Sequence, residues 1–200
     1  MLLGPQRREE QGRKTLVLDL DETLVHSSFK LVENSDIVLP VEIENQICMI
    51  YVLVRPFVTQ FLKRMHKYYE LVIFTASLSK YAEPLMQQLD PQNLCAYKLF
   101  REHCTYYNNA FVKDLTRLGR DLKDVIIVDN SPVAYLFQPE NAIPAVNWYD
   151  DPTDTELPRI ATILERLVYE DDVRRVIRTI ISNNKIDPKQ EQIYLSSTIN

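Results

Sequence analysis

The chain has 200 residues, of which 46% are apolar and 26% charged, and its formal net charge is −5 at pH 7. This length and composition are typical of one soluble globular domain with a substantial core, without the roughly 20 uninterrupted apolar residues of a membrane span. The negative balance argues against a general nucleic-acid binder, which would show a basic stripe.

The strand signals appear in chain order after a polar lead-in at residues 1–13, whose apolar run is too short for a secretory signal. Apolar runs typical of buried parallel strands lie at residues 15–18, 71–74 and 125–128, with weaker candidates at 96–100 and 145–146. Residues 29–54 carry two further runs, DIVLPVEI and ICMIYVLV, which predict a short antiparallel insertion.

Helical patterns separate these strands. The predicted helices start with Pro56 in a first turn, cover residues 79–89 with Pro84 near the start, cover 154–169, and run from a cap at Asp172 to residue 181. The alternation predicts a three-layer α/β/α sandwich with a central parallel sheet and a short antiparallel β insertion. One domain therefore covers residues 14–181, and a polar tail covers 182–200.

Polar residues follow each of the three clear strands. Asp19 follows the first, Thr75 the second, and Asp129 with Asn130 the third, while FVKDLTRLGRDL places Lys113 in the connection before the third strand. Taken singly, these residues are typical turn formers, helix caps or solvated side chains. Because ligands of such sheets bind beyond the carboxyl ends of the strands, the joint pattern predicts one site.

The carboxylates of this site suggest its chemistry. Asp19, Asp21 and Asp129, if gathered together, would repel each other by about a few kcal/mol per pair at an effective dielectric near 20. A divalent cation relieves that repulsion, and oxygen ligands that include the Asn130 amide favour Mg²⁺ over zinc. Asp19 could then attack phosphorus while Asp21 protonates the leaving oxygen. The cations of Lys113 and Arg101 could follow the developing charge.

The same residues carry a family resemblance. The segments DLDET, FTAS, FVKDLTRLGRDL and VDNSP resemble, in this order, the four motifs of the haloacid dehalogenase superfamily. More narrowly, LDLDETLVHSSF, RPFVTQFL, SLSKYAEPL, LFREHC and DTELPRIATILERL resemble the small phosphatases of the C-terminal domain of RNA polymerase II. The resemblance runs from about residue 14 to residue 180.

This resemblance implies a role for each site residue. It implies Asp19 as the nucleophile that becomes phosphoaspartyl, Asp21 as general acid and base, and Mg²⁺ held by Asp19, the backbone carbonyl of Asp21 and Asn130. It further implies that Thr75 and Lys113 bind phosphate, Asp129 orients Lys113, Arg101 binds substrate, and Phe29 and Leu78, with Val41 less securely, line a proline pocket.

The chain departs from the family pattern at two turns. Asn108, Asn109 and Ala110 stand where the family commonly has Arg-Gly-Asn, and Glu44 with Asn45 replaces an Asp-Gly turn of the insertion. We expect altered loop shapes at both places.

Two other chemistries compete with this interpretation. Cys95 and Arg101 have the Cys-x5-Arg spacing of cysteine-dependent phosphatases, but the residues between them are strand formers without the glycine that a phosphate-binding loop needs. His26 and His103 could act as acid or base, although each has stronger neighbours for that task. The three cysteines lack metal-ligand spacing, which favours a reduced compartment, the nucleus or the cytoplasm.

The small insertion predicts an open site that suits a protein chain. Our leading hypothesis is a Mg²⁺-dependent protein serine phosphatase acting on phospho-Ser-Pro sequences, with the C-terminal domain of RNA polymerase II as the expected substrate. The alternatives are a phosphatase of another phosphoprotein or of a small phosphometabolite, and a non-catalytic phosphopeptide-binding module. We expect no direct nucleic-acid binding and no membrane span.

Overall fold

The structure is a computed structural model, and it describes residues 1–183 of the chain. Its strands are β1 (Lys14–Leu18), β2 (Val25–Ser28), β3 (Ile37–Ile43), β4 (Gln46–Val54), β5 (Tyr69–Phe74), β6 (Cys95–Leu99), β7 (Thr105–Tyr107), β8 (Ala110–Val112), β9 (Val125–Asp129) and β10 (Ala142–Pro144). Its α-helices are α1 (Val58–Met65), α2 (Ser79–Leu89), α3 (Glu156–Leu167) and α4 (Val173–Asn183). The helices of this part of the chain are too short or too polar to span a bilayer.

The central sheet has five parallel strands in the order β10-β9-β1-β5-β6. β1 is apolar on both faces because both are covered: Leu16 and Leu18 pack in one core cluster, and Val17 packs in the other. The four α-helices contribute to the first cluster, whereas the described residues of the second come from the sheet, the N-terminal segment and short 3₁₀ turns. The predicted fold class is confirmed, with the second covering layer thinner than expected.

The predicted antiparallel insertion is confirmed as a three-stranded sheet in the order β2-β4-β3. It begins earlier than expected, since β2 (Val25–Ser28) carries only one apolar residue and gave no strand signal. Glu44 and Asn45 have φ values of 49° and 61° and form the two-residue turn between β3 and β4. Asn108 and Asn109, with φ values of 46° and 60°, do the same between β7 and β8. At both departures from the family pattern the chain therefore forms a hairpin, and both turn residues of each hairpin adopt the left-handed conformation.

Three local predictions are wrong. The last strand is β10, at Ala142–Pro144, and not residues 145–146; as an edge strand it tolerates Pro144. Pro56 precedes α1, since Phe57 takes a left-handed φ of 70° before the helix begins. Pro84 lies inside α2 and not near its start.

Both ends of the predicted domain differ in detail from the expectation. The polar lead-in packs onto the sheet: the Leu2 backbone N–H donates to the Arg117 carbonyl (2.7 Å), and the Leu3 side chain is buried. Asp172 caps α4 by accepting from the Arg174 N–H (3.1 Å). This helix extends to Asn183, and the rest of the predicted polar tail lies outside the described residues.

A buried arginine ties the insertion to the loops around the sheet edge. Arg55 follows β4 and makes two hydrogen bonds to the Asp154 carboxylate, both 2.8 Å long. Its Nη1 also donates to the carbonyls of Thr23 (3.0 Å) and Val146 (3.1 Å). Its side chain is fully buried, so these bonds hold the loop after β1 against the segment after β10.

We expect Arg55→Met to lower the free energy of unfolding by about 3–5 kcal/mol, because it leaves the buried Thr23 carbonyl, the partly buried Val146 carbonyl and the Asp154 carboxylate without their partner. The control is Arg64→Met, which removes a bidentate pair with Glu165 that is exposed on the surface and should cost about 1 kcal/mol or less. Urea unfolding of both variants measures the difference. Equal losses would show that Arg55 is no more than a surface ion pair.

Candidate active site

The carboxyl ends of β1, β5 and β9 surround a solvent-accessible cavity of about 380 Å³. The cavity is lined by Asp19, Asp21, Thr75, Arg101, Lys113, Asp129 and Asn130, together with apolar and small residues. The structure therefore brings together every polar residue that the sequence placed in the site. Phe29 and Leu78 do not line this cavity.

Lys113 lies between two of the carboxylates. Its Nζ donates to Asp19 Oδ1 and to Asp129 Oδ2, at 2.5 Å in each case, and all three side chains are buried. Burial lowers the pKa of Lys113, but the charges of Asp129 and Asp19 outweigh it, so the pKa lies above its ordinary value. Burial and the charge of Asp19 raise the pKa of Asp129 to about 7, although Lys113 opposes this. Lys113 is thus a cation that holds both carboxyl groups in place.

Asp21 has a different environment from Asp19. Its carboxylate accepts hydrogen bonds from the hydroxyls of Thr75 (3.2 Å), Ser77 (2.7 Å) and Tyr81 (2.9 Å). Burial raises the pKa of Asp21, and the charge of Asp19 adds to this, while the three hydroxyls lower it; the net direction is upward. A carboxyl group whose pKa is raised is better suited to general acid catalysis than one with an ordinary pKa.

Two oxygen atoms converge near the end of β1. The Thr23 hydroxyl lies 3.0 Å from Asp19 Oδ2 and 3.2 Å from Asn130 Oδ1. A hard divalent cation prefers such carboxylate and amide oxygens, so the residues fit a Mg²⁺ ion. Residues 1–183 contain no group of three or more His, Cys, Asp and Glu side chains arranged for a metal, in keeping with an expected ligand set that includes an amide and a backbone carbonyl.

Asn147 orients the Asn130 amide, a contact that no sequence pattern indicates. Asn130 Nδ2 donates to Asn147 Oδ1 (2.9 Å), so the opposite atom, Oδ1, faces Thr23. The backbone on both sides of Asn147 is fixed: the Val146 carbonyl accepts from Arg55, and the Trp148 N–H donates to the Glu22 carbonyl (2.9 Å).

Three further residues that contact the site carboxylates were also not predicted from the sequence. Ser77 and Tyr81 bind Asp21 from the start of α2, and Thr23 binds Asp19 from the loop after β1. Each is a hydroxyl residue in a polar stretch, and its partner comes from chain folding. The only signal was the density of hydroxyl groups in DET and FTASLSKY.

Arg101 lies on the side of the cavity formed by the β7–β8 hairpin. Its Nε donates to the Ala76 carbonyl (2.6 Å), and its guanidinium lies over the Phe111 ring at 5.0 Å from the centroid. The competing cysteine arrangement is not formed: Cys95 is buried, burial raises the pKa of its thiol well above the ordinary value, and the residues after it form β6. No loop able to wrap a phosphate joins Cys95 to Arg101.

The residues predicted to line the proline pocket differ in their exposure to solvent. Phe29 is 67% exposed and Leu78 is 53% exposed, so both offer apolar surface outside the cavity. Val41 lies on the inward face of β3, is 5% exposed and packs in the main core, and its place in the pocket stays a prediction. The two histidines contact other groups: His26 lies 3.3 Å from Glu22, and His103 accepts from the Phe100 N–H (2.9 Å).

Comparison with known proteins agrees with this geometry. The sequence model described as "NLI interacting factor-like phosphatase" matches residues 14–174. The "Probable C-terminal domain small phosphatase" of Dictyostelium discoideum is 54% identical over 176 residues, which are 88% of this chain and 58% of that protein. The human "Carboxy-terminal domain RNA polymerase II polypeptide A small phosphatase 1" is 48% identical over 177 residues, which are 88% of this chain and 68% of that protein.

A solved structure shows the same fold. "The Structure of Fcp1, an essential RNA polymerase II CTD phosphatase" aligns with a TM-score of 0.59 and 19% identity over 91% of this chain and 54% of that one. The chain spans about half to two thirds of the length of the curated relatives that it matches.

We expect Lys113→Met, in the presence of a chelator, to lower the free energy of unfolding at pH 7 by about 3–5 kcal/mol, since Asp19 and Asp129 lose their shared cation. An acid whose pKa is raised in the folded state binds protons more readily there than in the unfolded chain. The pKa of Asp129 is already raised to about 7 beside Lys113, so Asp129 gains a proton as pH falls from 7 to 5. The difference in free energy of unfolding between Lys113→Met and wild type should therefore be smaller at pH 5 than at pH 7.

Urea unfolding at the two pH values tests this expectation. Lys14→Met is the control, since Lys14 pairs with Asp124 (2.7 Å) near the surface and should cost about 1 kcal/mol or less at both pH values. A deficit for Lys113→Met that stays constant with pH would contradict the electrostatic explanation.

Proposed function

The chain belongs to the family of NLI interacting factor-like phosphatases, and from this membership we propose that it is a Mg²⁺-dependent protein serine phosphatase acting through a phosphoaspartyl intermediate. Its substrates are phospho-Ser-Pro sequences, above all those of the C-terminal domain of RNA polymerase II. The observation that carries the proposal is the contrast between two carboxyl groups: Asp19 contacts a buried cation, whereas Asp21 is bound by hydroxyls and has a raised pKa.

The contrast assigns a role to each carboxyl group. Lys113 holds Asp19 in place, and the Asp19 carboxylate attacks phosphorus to form an acyl phosphate as the bond to the serine oxygen breaks. Asp21 gives its proton to the departing serine oxygen. In the second step Asp21 takes a proton from the water that attacks the acyl phosphate, which releases inorganic phosphate and restores Asp19.

Charged groups around the cavity support binding of the phosphate. The Lys113 ammonium and the Arg101 guanidinium line it, and Thr75 supplies a hydroxyl that also contacts Asp21. Asp129 holds Lys113 from the side opposite Asp19. These groups are fixed before substrate arrives, so they stabilise the charge on the phosphoryl oxygens without reorganisation.

Family membership suggests a metal cofactor, and the oxygen-rich site supports Mg²⁺. Asp19, the backbone carbonyl of Asp21 and Asn130 would hold the ion. When bound, the ion supplies positive charge that offsets the substrate phosphate and the neighbouring carboxylates. The convergence of Asp19 Oδ2 and Asn130 Oδ1 on the Thr23 hydroxyl supports this ligand set.

Three observations support a protein chain as the substrate. The cavity is open to solvent, and the two antiparallel sheets that accompany the central sheet in the described residues, β2-β4-β3 and β7-β8, are both small. The exposed side chains of Phe29 and Leu78 offer apolar surface that suits a proline ring. Several relatives are named as phosphatases of the RNA polymerase II C-terminal domain, which supports the same substrate and a nuclear or cytoplasmic location here.

We expect Asp19→Asn to reduce phosphate release from phospho-Ser-Pro peptides by about 10³-fold or more, because the amide cannot act as the nucleophile. Cys95→Ser is the matched control and should keep wild-type turnover, since that thiol is buried in β6. Release of phosphate is measured with Mg²⁺ and with chelator. Loss of activity in the Cys95 variant, or turnover of a small phosphometabolite far above that of any phosphopeptide, would contradict the proposal.

We expect Asn147→Ala to weaken Mg²⁺ binding by about 10-fold, because Asn130 loses the partner that directs its carbonyl oxygen toward Asp19. Titration calorimetry of Mg²⁺ into the substrate-free protein measures this without reference to turnover. Val146→Ala, an exposed neighbour whose side chain has no role in this contact, is the control and should bind Mg²⁺ like wild type. An unchanged dissociation constant for Asn147→Ala would exclude the orienting role.

A further inference from the structure

Two aromatic rings of the β7–β8 hairpin and the Arg101 side chain, which precedes the hairpin, form a row that begins at the cavity. Tyr106 and Phe111 lie directly opposite each other on the two strands, and their ring centroids are 5.4 Å apart. The Arg101 guanidinium lies over the Phe111 ring, 5.0 Å from its centroid. We call Arg101, Phe111 and Tyr106 the stacked wall.

The wall is continuous with the cavity at one end and open to solvent at the other. Arg101 and Phe111 line the cavity, whereas Tyr106 is 65% exposed at the outer end. The hydroxyl of Tyr106 makes a 3.3 Å contact with Asn109, so the ring remains available. An exposed aromatic ring in contact with a cavity wall is a typical feature of a binding surface.

The neighbouring tyrosine has a different position. Successive residues of a strand point to opposite faces, so Tyr107 lies on the other face of the hairpin from Tyr106. There its ring contacts Phe137 at 5.3 Å, and it is 45% exposed. Tyr107 therefore contacts the loop between β9 and β10, whereas Tyr106 extends the wall.

We propose that the stacked wall binds an aromatic side chain of the substrate chain, next to the phosphoserine that enters the cavity. The proposal rests on the proposed function and adds a specificity-determining surface to it. One end of the wall offers a cation beside the phosphate site, and the other offers only a ring and a hydroxyl. A ligand that contacts both ends carries a phosphate and, further along the same chain, a planar apolar group.

The length of the wall fixes the spacing. The two stacking distances, 5.0 Å and 5.4 Å, place Tyr106 no more than about 10 Å from the Arg101 guanidinium. An extended chain advances about 3.3 Å per residue, so the aromatic residue lies within about three positions of the phosphoserine. The wall is held in advance, because Arg101 is tied to the Ala76 carbonyl and Phe111 lies beneath it. Little ordering is therefore required on binding.

The test uses phosphoserine peptides with one tyrosine placed three residues before or after the phosphoserine, and matched peptides with alanine there. In wild type we expect one tyrosine peptide to show a KM about 2- to 12-fold below that of its alanine match, with similar kcat, as aromatic pairs typically contribute. Tyr106→Ala should remove this difference, and Tyr106→Leu should remove most of it. Tyr107→Ala, the matched control, should preserve it.

Binding to the Asp19→Asn protein, followed by fluorescence anisotropy of labelled peptides, separates this proposal from the proposed function. The preference for tyrosine should persist there and disappear with Tyr106→Ala. Absence of peptide turnover in wild type, with the binding preference intact, would defeat the phosphatase proposal alone. Equal binding of tyrosine and alanine peptides, or a preference abolished equally by Tyr107→Ala, would overturn the stacked wall.

Discussion

The placement of Lys113 between two buried carboxylates is the constraint on which the rest of this site depends. At the carboxyl edge of the sheet, Asp19 and Asp129 follow or end adjacent parallel strands, so β1–β9 pairing itself brings their charges together. Two such charges cannot both be buried at low cost without a cation. The cation comes from a segment whose backbone is fixed to the same edge, since the Lys113 N–H donates to the Ala134 carbonyl (2.7 Å).

The separation of the two aspartate roles follows from how the chain leaves β1. Leu20, between them, is buried, so Asp19 and Asp21 are held on either side of an apolar anchor. Glu22 then takes a left-handed φ of 57°, and the chain turns back so that the Thr23 hydroxyl reaches Asp19. One short loop therefore gives one carboxyl group a cation and the other a set of hydroxyls. Two environments this different suit the proposed nucleophile and the proposed acid.

The sequence predicts the framework and the charged centre, because both depend on local patterns. Apolar runs identified β1, β5 and β9, and the parallel topology made the residues after them converge. The sequence does not predict β2, which contains one apolar residue. It also does not predict the inward orientation of Val41, which depends on how the insertion packs on α2. The polar partners Ser77 and Asn147 were equally invisible, since their partners lie far away in the chain and a hydroxyl or amide has many uses.

The Tyr81 phenol joins the insertion to the carboxyl group of Asp21, the proposed acid. The Tyr81 hydroxyl lies 2.9 Å from Asp21 Oδ1 and 2.9 Å from Ser27 Oγ on β2. A phenol has one proton, so when Tyr81 donates to Asp21 it must accept from Ser27. The strand that leads to the exposed Phe29 is thereby linked through Tyr81 to Asp21, the proposed general acid. A substrate chain held against Phe29 would press on the same strand that positions the acid, which makes peptide binding at the insertion and the protonation step parts of one connected structure.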